Sequence, residues 1–507
     1  KVSGDEVADK PNTNPVASLQ SKVAGLYVVN SGTPGREPDI RIRGTQSIGQ
    51  VKPLYIVDGL FQDNINYINP NDIESIEVLK DPSSLAIFGI RGGTGVIAIT
   101  TKRAKSGQTN VSYNGTYGFK DLVDKLKMAS AAEFDELFEE ENNNNGVATP
   151  DYSAIKNGNN TDWIDAVTRK ARFQSHNISI SSSSEKNKFN VGLGYIEDEG
   201  IVIRERLKKY LLSFSDEYKI SSAIKVGLTL NVNRSDNPYD AAWVLDAARK
   251  VMPHISPDPK VFRVRDLYRS VYDSVDIPIY SGLFLQGSGV VNPVLQVENT
   301  WDKTISHENR YVGTFYTDVT FLKDFNVRAN WYADVSDVNI RKYNPMYYAY
   351  NPVTNEPYLY TAQNYESALT SVEQTVNHYR KLQQEYLLTY KKRFGDHSLT
   401  ALAGFTTFLY REELNYTKST AGGAATALHI PNDPDKWYVT NNFGKVLEGD
   451  ASGSAGEYTT VSLLGRFLYN YRNKYFLNAS IRDDASSRIP EKNRHQQFWA
   501  VGAAWDI

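Results

Sequence analysis

The feature that most constrains this chain is a run of long strands, each with one wholly apolar face, joined by loops that alternate between short and long. Over Phe325–Val335 one face carries Phe325, Val327, Ala329, Trp331, Ala333 and Val335, and the other carries Asn326, Arg328, Asn330, Tyr332 and Asp334. Ile224–Val232 repeats the pattern, with Ile224, Val226, Leu228, Leu230 and Val232 opposite Lys225, Gly227, Thr229 and Asn231. A period of two with one apolar face marks a half-buried strand. About 12 such strands are expected, near 109–119, 172–182, 187–197, 207–219, 223–233, 308–322, 325–339, 376–392, 397–412, 457–472, 474–484 and 496–507. The gaps after the second, fourth, sixth, eighth and tenth are tight, as at Lys323–Asp324 and Asn473. The others run from about 10 residues to on the order of 35–75, the sorting expected of a transmembrane barrel with turns on one rim and large loops on the other. A soluble sandwich or propeller has no reason to sort its loops this way.

Composition agrees with that reading. Mean hydropathy is −0.47, and no apolar run approaches the ~18 residues that a spanning helix needs. Barrel strands alternate, so their average stays polar. The formal charge of −3 gives no nucleic-acid footprint. The lack of cysteine excludes disulfides and thiolate metal sites. The 33 tyrosines suit membrane interfaces and sugar-binding surfaces. The seven histidines are dispersed without a metal-binding spacing, no nucleophile–base arrangement stands out, and Gly89-x-x-Gly92-Gly93-x-Gly95 lacks the Lys-Ser/Thr end of a phosphate loop. No catalytic residue, metal or cofactor is expected, and the chain is not expected to be an enzyme.

Residues 1–107 read differently. Short β-like runs at Gly25–Val29, Asp39–Arg43, Leu54–Val57, Ile73–Leu79 and Gly95–Thr101 are punctuated by Gly and Pro, with helical turns expected at Pro15–Val23 and Pro82–Phe88. Further helices are expected in the loops at Ser130–Asn142 and Ala241–Val251. A domain of about 100 residues has a radius of gyration near 13 Å. It fits inside a barrel of the 22-strand class, not one of about 12. The expected fold is therefore mainly β: a small α+β plug (1–107) inside a transmembrane antiparallel barrel (108–507), with about 12 strands present of a 22-strand barrel. The closing strands are expected beyond Ile507.

The leading region contains Asp39-Ile40-Arg41-Ile42-Arg43-Gly44, Pro53-Leu54-Tyr55-Ile56-Val57-Asp58-Gly59, Asn71-Asp72-Ile73-Glu74-Ser75-Ile76-Glu77-Val78-Leu79-Lys80-Asp81, and a Gly-rich string from Phe88 to Lys102. Their order and spacing resemble the plug of TonB-dependent outer-membrane transporters, in particular the SusC/RagA-like branch of Bacteroidetes. The likeness continues through Thr161-Asp162-Trp163, His176–Ser181 and Glu199-Gly200-Ile201. The resemblance implies import of oligosaccharides, or alternatively peptides, across the outer membrane. A SusD-like surface lipoprotein would act as lid, an inner-membrane TonB complex as the source of pull, and transporter–lid pairs would associate as dimers. Outer-membrane lipid and the missing barrel half complete the expected partners. A surface adhesin or structural barrel is the more distant alternative.

Within that frame, the loop Leu60–Asn69 and the loop Asp81–Gly92 are expected to face outwards beneath the substrate. Phe61, Gln62, Asp63, Asn64, Asn66, Tyr67, Phe88 and Arg91 are the candidate contacts, and ordinary turn chemistry is the plainer account of the Asp and Asn. Arg43 and Arg91 are candidate latches to lumen carboxylates. Tyr347, Tyr348, Tyr350, Tyr358 and Tyr360 crowd one outer loop, where they either meet substrate or lid or simply pack within the loop.

Overall fold

The computed structural model describes the chain except residues 9, 11, 45–51, 82–84, 86–87, 89–91, 105–106, 108, 157, 237–238, 269–272, 283–289, 361–368, 422–428, 447–448 and 507. The leading region begins with β1 (Val2–Ser3) and α1 (Gly4–Ala8), followed by β2 (Leu26–Val29), β3 (Asp39–Ile42), β4 (Leu54–Val57), β5 (Leu60–Gln62), β6 (Ile73–Leu79) and β7 (Val96–Thr101). Five of these form one mixed sheet in the order β1-β6-β7-β4-β5, with β4 parallel to β7, while β2 and β3 pair separately. The Val-Asp-Gly string is a hairpin signal: Asp58 and Gly59 both stand at positive φ between the paired Val57 and Leu60. Asp58 then accepts hydrogen bonds from the Thr101 N–H (3.0 Å) and hydroxyl (2.6 Å), tying the turn to the end of β7. The helix expected at Pro15–Val23 is instead a 3-10 turn, Pro15–Leu19, capped by Asn14. It stops because Gln20 is extended and Ser21 takes a positive φ. The helical turn expected at Pro82–Phe88 lies largely outside the described residues.

The second region is one antiparallel sheet. Its strands are β8 (Asn110–Lys120), β9 (Ala171–Ser183), β10 (Asn187–Glu199), β11 (Arg206–Lys219) and β12 (Ile224–Asp236). The loop hairpin β13 (Lys260–Arg265) and β14 (Ser274–Ile279) precedes β15 (Thr304–Phe321) and β16 (Phe325–Asn344). A second loop hairpin, β17 (Tyr347–Tyr350) and β18 (Pro357–Tyr360), precedes β19 (Ser371–Phe394), β20 (His397–Ala421), the short β21 (Gly444–Lys445), β22 (Ala451–Tyr471), β23 (Tyr475–Ser486) and β24 (His495–Trp505). The sheet runs β24-β23-β22-β20-β19-β16-β15-β12-β11-β10-β9-β8, each long strand beside its sequence neighbour. The expected strands are all present. Several, such as β16, β19 and β20, extend further towards the long-loop rim than the alternation alone indicated.

Turns on one rim are tight. At Leu322–Lys323 and Arg472–Asn473 two consecutive residues take positive φ, the handedness that suits the twist of a hairpin. On the other rim the long connections build a cap of their own, with a core of Ile155, Trp163, Ile164, Val244, Met252 and Val297. This cap includes α2 (Ala131–Asn144), α3 (Trp163–Val167), α4 (Val244–Ala248) and α5 (Pro293–Thr300). Helix α2 starts on the Ser130/Glu133 capping box. The helix expected over Ala241–Val251 shortens to α4, whose Val244, Ala247 and Ala248 are buried.

The two faces of the sheet differ in sign from those of a soluble protein. Leu193, Leu228, Phe315, Leu382, Leu388, Leu463, Ile481 and Trp499 are exposed, while Asn177, Asn233, Arg310, Asp334, Lys381, Gln383 and Arg482 are buried. The apolar face looks out and the polar face looks towards the plug. Phe315, Trp331, Tyr386 and Phe405 form an aromatic row across β15, β16, β19 and β20, with successive rings 5.6, 6.2 and 6.4 Å apart. A wall of this polarity is stable against lipid, and a wet lumen accepts its inner side.

Candidate functional site

The plug sits on the inner face of the sheet: its core of Val16, Leu19, Ile65, Ile73, Ile76 and Ile97 extends to Val312 and Tyr332 of the wall. The polar seam around this contact centres on Arg310 of β15. Its guanidinium forms a two-pronged pair with Asp334 of β16, Nε to Oδ1 at 2.9 Å and Nη2 to Oδ2 at 2.7 Å. The same group donates to the plug through Gln62 Oε1 (3.0 Å) and Asn64 Oδ1, and lies over the Tyr67 ring at 4.5 Å. Arg310 and Asp334 are almost wholly buried, so these contacts replace water that neither group retains. Burial also holds the Tyr67 phenol well above its ordinary range, so it stays neutral beside the cation.

Two further cations reach the plug from the wall. Lys381 Nζ of β19 lies 2.6 Å from Asp63 and 3.9 Å from Asp334. Lys209 of β11 donates to the backbone carbonyls of Asn66 (3.0 Å) and Thr13 (3.4 Å). Asn69 donates to Asn177 of β9 at 2.6 Å. Above Asp63 and Asn64 a cavity of about 330 Å³ opens between plug and wall, lined also by Glu308, Ser336, Tyr379 and Tyr410.

The expected contacts divide on this geometry. Leu60–Gln62 is a strand rather than loop, and Phe61, Gln62 and Tyr67 are buried. They pack beneath the cavity because hairpin β4–β5 is buried on both of its faces, and Gln62 and Tyr67 face Arg310 instead of solvent. Asp63 and Asn64 line the cavity. Asn66 accepts from Asn14 at 2.7 Å within the plug. Phe88 packs on Leu54, Ile56, Phe61 and Val96, and Arg91 lies outside the described residues. Arg43 corrects the latch expectation: its partner is Asp81 of the plug itself, at 3.3 Å and well exposed, so this pair does not tie plug to wall.

The tyrosine loop is hairpin β17–β18. The Tyr347 and Tyr360 rings stack at 5.4 Å, the Tyr348 hydroxyl donates to the Arg265 carbonyl at 3.2 Å, and Tyr350 is buried against Phe262. The Tyr358 hydroxyl closes on Gly282, where a Cβ would lie 1.9 Å away. Packing within the loops therefore accounts for this cluster. Arg310, Asp334 and Lys381 were missed from sequence. They stand on the polar faces of their strands among many similar residues, and no local signal marks those that meet the plug.

Comparisons with known proteins agree with this architecture. Residues 1–96 match the TonB-dependent receptor plug domain. TonB-dependent receptor P26 of Formosa agariphila is 29% identical over 99% of this chain and 48% of its own length. SusC of Bacteroides thetaiotaomicron, a TonB-dependent receptor, is 27% identical over 100% of this chain and 49% of its own. The chain thus spans about half the length of the curated relatives it matches. Among solved structures, the RagAB peptide transporter superposes with a TM-score of 0.80 at 21% identity, over all of this chain and 57% of that one. These relatives are receptors and transporters, not enzymes. The leading region thus matches the TonB-dependent receptor plug, and the chain as a whole is similar to about half of the SusC-like TonB-dependent receptors, β-barrel proteins of the outer membrane.

Proposed function

We propose that residues 1–107 are the movable plug and 108–507 part of the barrel wall of an active importer of oligosaccharides. The observation that carries this reading is the seating of the plug. It rests against the lumen through a small set of buried polar contacts at Arg310, Lys381 and Lys209, beneath a cavity lined by tyrosines and carboxylates. Contacts of that kind hold firmly yet can be exchanged for water, and among the described residues the apolar core beside them reaches the wall only at Val312 and Tyr332. On this reading a SusD-like lipoprotein covers the loop cap, and ligand collects between lid, loops and Asp63–Asn64. A periplasmic TonB complex then draws the plug aside, and transporter–lid pairs work as dimers. Tyrosine rings and hydrogen-bonding groups suit sugar faces and hydroxyls.

The test is uptake of fluorescent fructan, starch and mannan fragments, against a peptide library, in cells with and without the gene. Loss of uptake of one glycan class on deletion supports the reading. Loss of peptide uptake alone would replace the cargo, and unchanged uptake of both would leave a structural or adhesive barrel.

A further inference from the structure

We infer that the cavity above the plug is a specificity subsite that accepts an uncharged, hydroxyl-rich sugar residue and rejects uronate or sulfated ones; this rests on the import reading above. The cavity has the volume, about 330 Å³, of a small-ligand site. Its cations are already committed, Arg310 to Asp334, Gln62 and Asn64, and Lys381 to Asp63. Of its carboxylates, Asp334 and Asp63 are taken up in those same pairs, and Glu308 is not. Glu308 accepts from the Ser336 hydroxyl at 3.1 Å. Among the described residues it has no cation within ion-pairing distance. An ionised carboxylate only accepts hydrogen bonds and has room for several, so Glu308 needs donors from whatever fills the cavity. Sugar hydroxyls are such donors.

An anionic sugar is penalised by the same carboxylate. One negative charge about 6 Å from a carboxylate costs about a hundredfold in affinity at an effective dielectric of about 20. A cationic ligand meets a different obstacle. Tyr410 already has Lys381 Nζ 5.9 Å from its ring centre, and Tyr458, stacked on Tyr410 at 5.2 Å, has the Arg488 guanidinium at 3.9 Å. The cation-attracting face of Tyr410 is thus served by the protein's own Lys381. What remains is aromatic surface for the C–H face of a neutral ring, beside an acceptor, Glu308, with room for further donors.

The experiment uses the full-length receptor purified in detergent and matched ligands of equal length: β-1,4-manno-oligosaccharide, oligomannuronate, gluco- and fructo-oligosaccharides, and a lysine-containing peptide. Calorimetry is expected to show a neutral oligomer binding about a hundredfold tighter than its uronate counterpart. Glu308→Gln should narrow that gap to about tenfold or less, and Tyr410→Ala should weaken neutral binding by about tenfold. Heat-modifiable migration on gels confirms that each variant is folded. A uronate bound as well as its neutral partner, or a gap unchanged in the glutamine variant, overturns the subsite while leaving sugar import standing. Preference for the peptide with no sugar bound overturns both.

Discussion

Arg310 and Asp63 reach across the same seam with different consequences, because burial sets the worth of a charge. Arg310 and Asp334 are each almost fully enclosed, and breaking such a pair leaves a charge with neither water nor partner, a cost of about 3–5 kcal/mol. Asp63 is half exposed, so its pair with Lys381 carries about 1 kcal/mol or less. Asp334→Asn is therefore expected to loosen the plug markedly and Asp63→Asn hardly at all. Limited proteolysis of the plug in the purified receptor, with barrel integrity followed by heat-modifiable migration, measures the difference; equal sensitivity would contradict the ranking. Glu205, in the connection between β10 and β11, carries a second residue-scale consequence. Burial, reinforced by Asp240, pushes its carboxyl up to about 7. The folded state then holds a proton that the unfolded chain releases near its ordinary value of 4.5. Stability is full below that value and is lost as pH rises towards 7. Glu205→Gln should flatten this decline, read as the melting temperature of the detergent-solubilised protein between pH 5 and pH 8; a wild-type melting temperature independent of pH over that range would refute it.

At the scale of elements, Gly95 shows what the plug's glycine string is for. Its φ of +99° disfavours any side chain, and an added Cβ would lie 2.6 Å from Ile42 Cδ1. Backbone strain and overpacking together put the cost of Gly95→Val on the order of 2–4 kcal/mol. The expected result is a receptor whose barrel still folds but whose plug is digested by protease; a protected plug would show that β3 and β7 can part. The wall strands were legible because an alternation held over ten or more residues is local information, and five plug strands stood out between Gly and Pro, whereas β1 and β5, the latter expected as loop, did not. Pro15–Leu19 was legible as helical but not as 3-10, since its end depends on the φ of Ser21. Hairpins β13–β14 and β17–β18 and helix α5 escaped notice because their short runs are stabilised by neighbours distant in sequence, as when Asn292 caps α5 and also holds the Ser281 carbonyl. The site was legible only as a region. Asp63 and Asn64 were named as its floor, but the wall side comes from strands separated by hundreds of residues from the plug, and only the register of β15, β16 and β19 brings Arg310, Asp334 and Lys381 together.

For the whole molecule, the decisive property is the inverted polarity of the sheet, which makes one-residue steps along a strand opposite in meaning. Trp331 belongs to the outward aromatic row, whereas its neighbour Tyr332 is 3% exposed and packs on the plug. A guanidinium placed outwards must lie in hydrocarbon, which costs a barrel about 2–4 kcal/mol near the bilayer centre and less towards its edges. Trp331→Arg is accordingly expected to lower stability in lipid bilayers by up to that amount, seen as a shifted midpoint in urea titrations of protein refolded into liposomes. Protease sensitivity of the plug should stay as in the wild type, because the inner face is untouched. Tyr332→Ala should do the reverse, freeing the plug through the cavity it leaves while the bilayer midpoint changes little. If both substitutions affected plug and bilayer stability alike, the wall would not be separating lipid from lumen, and the plug would not be an independent body within it.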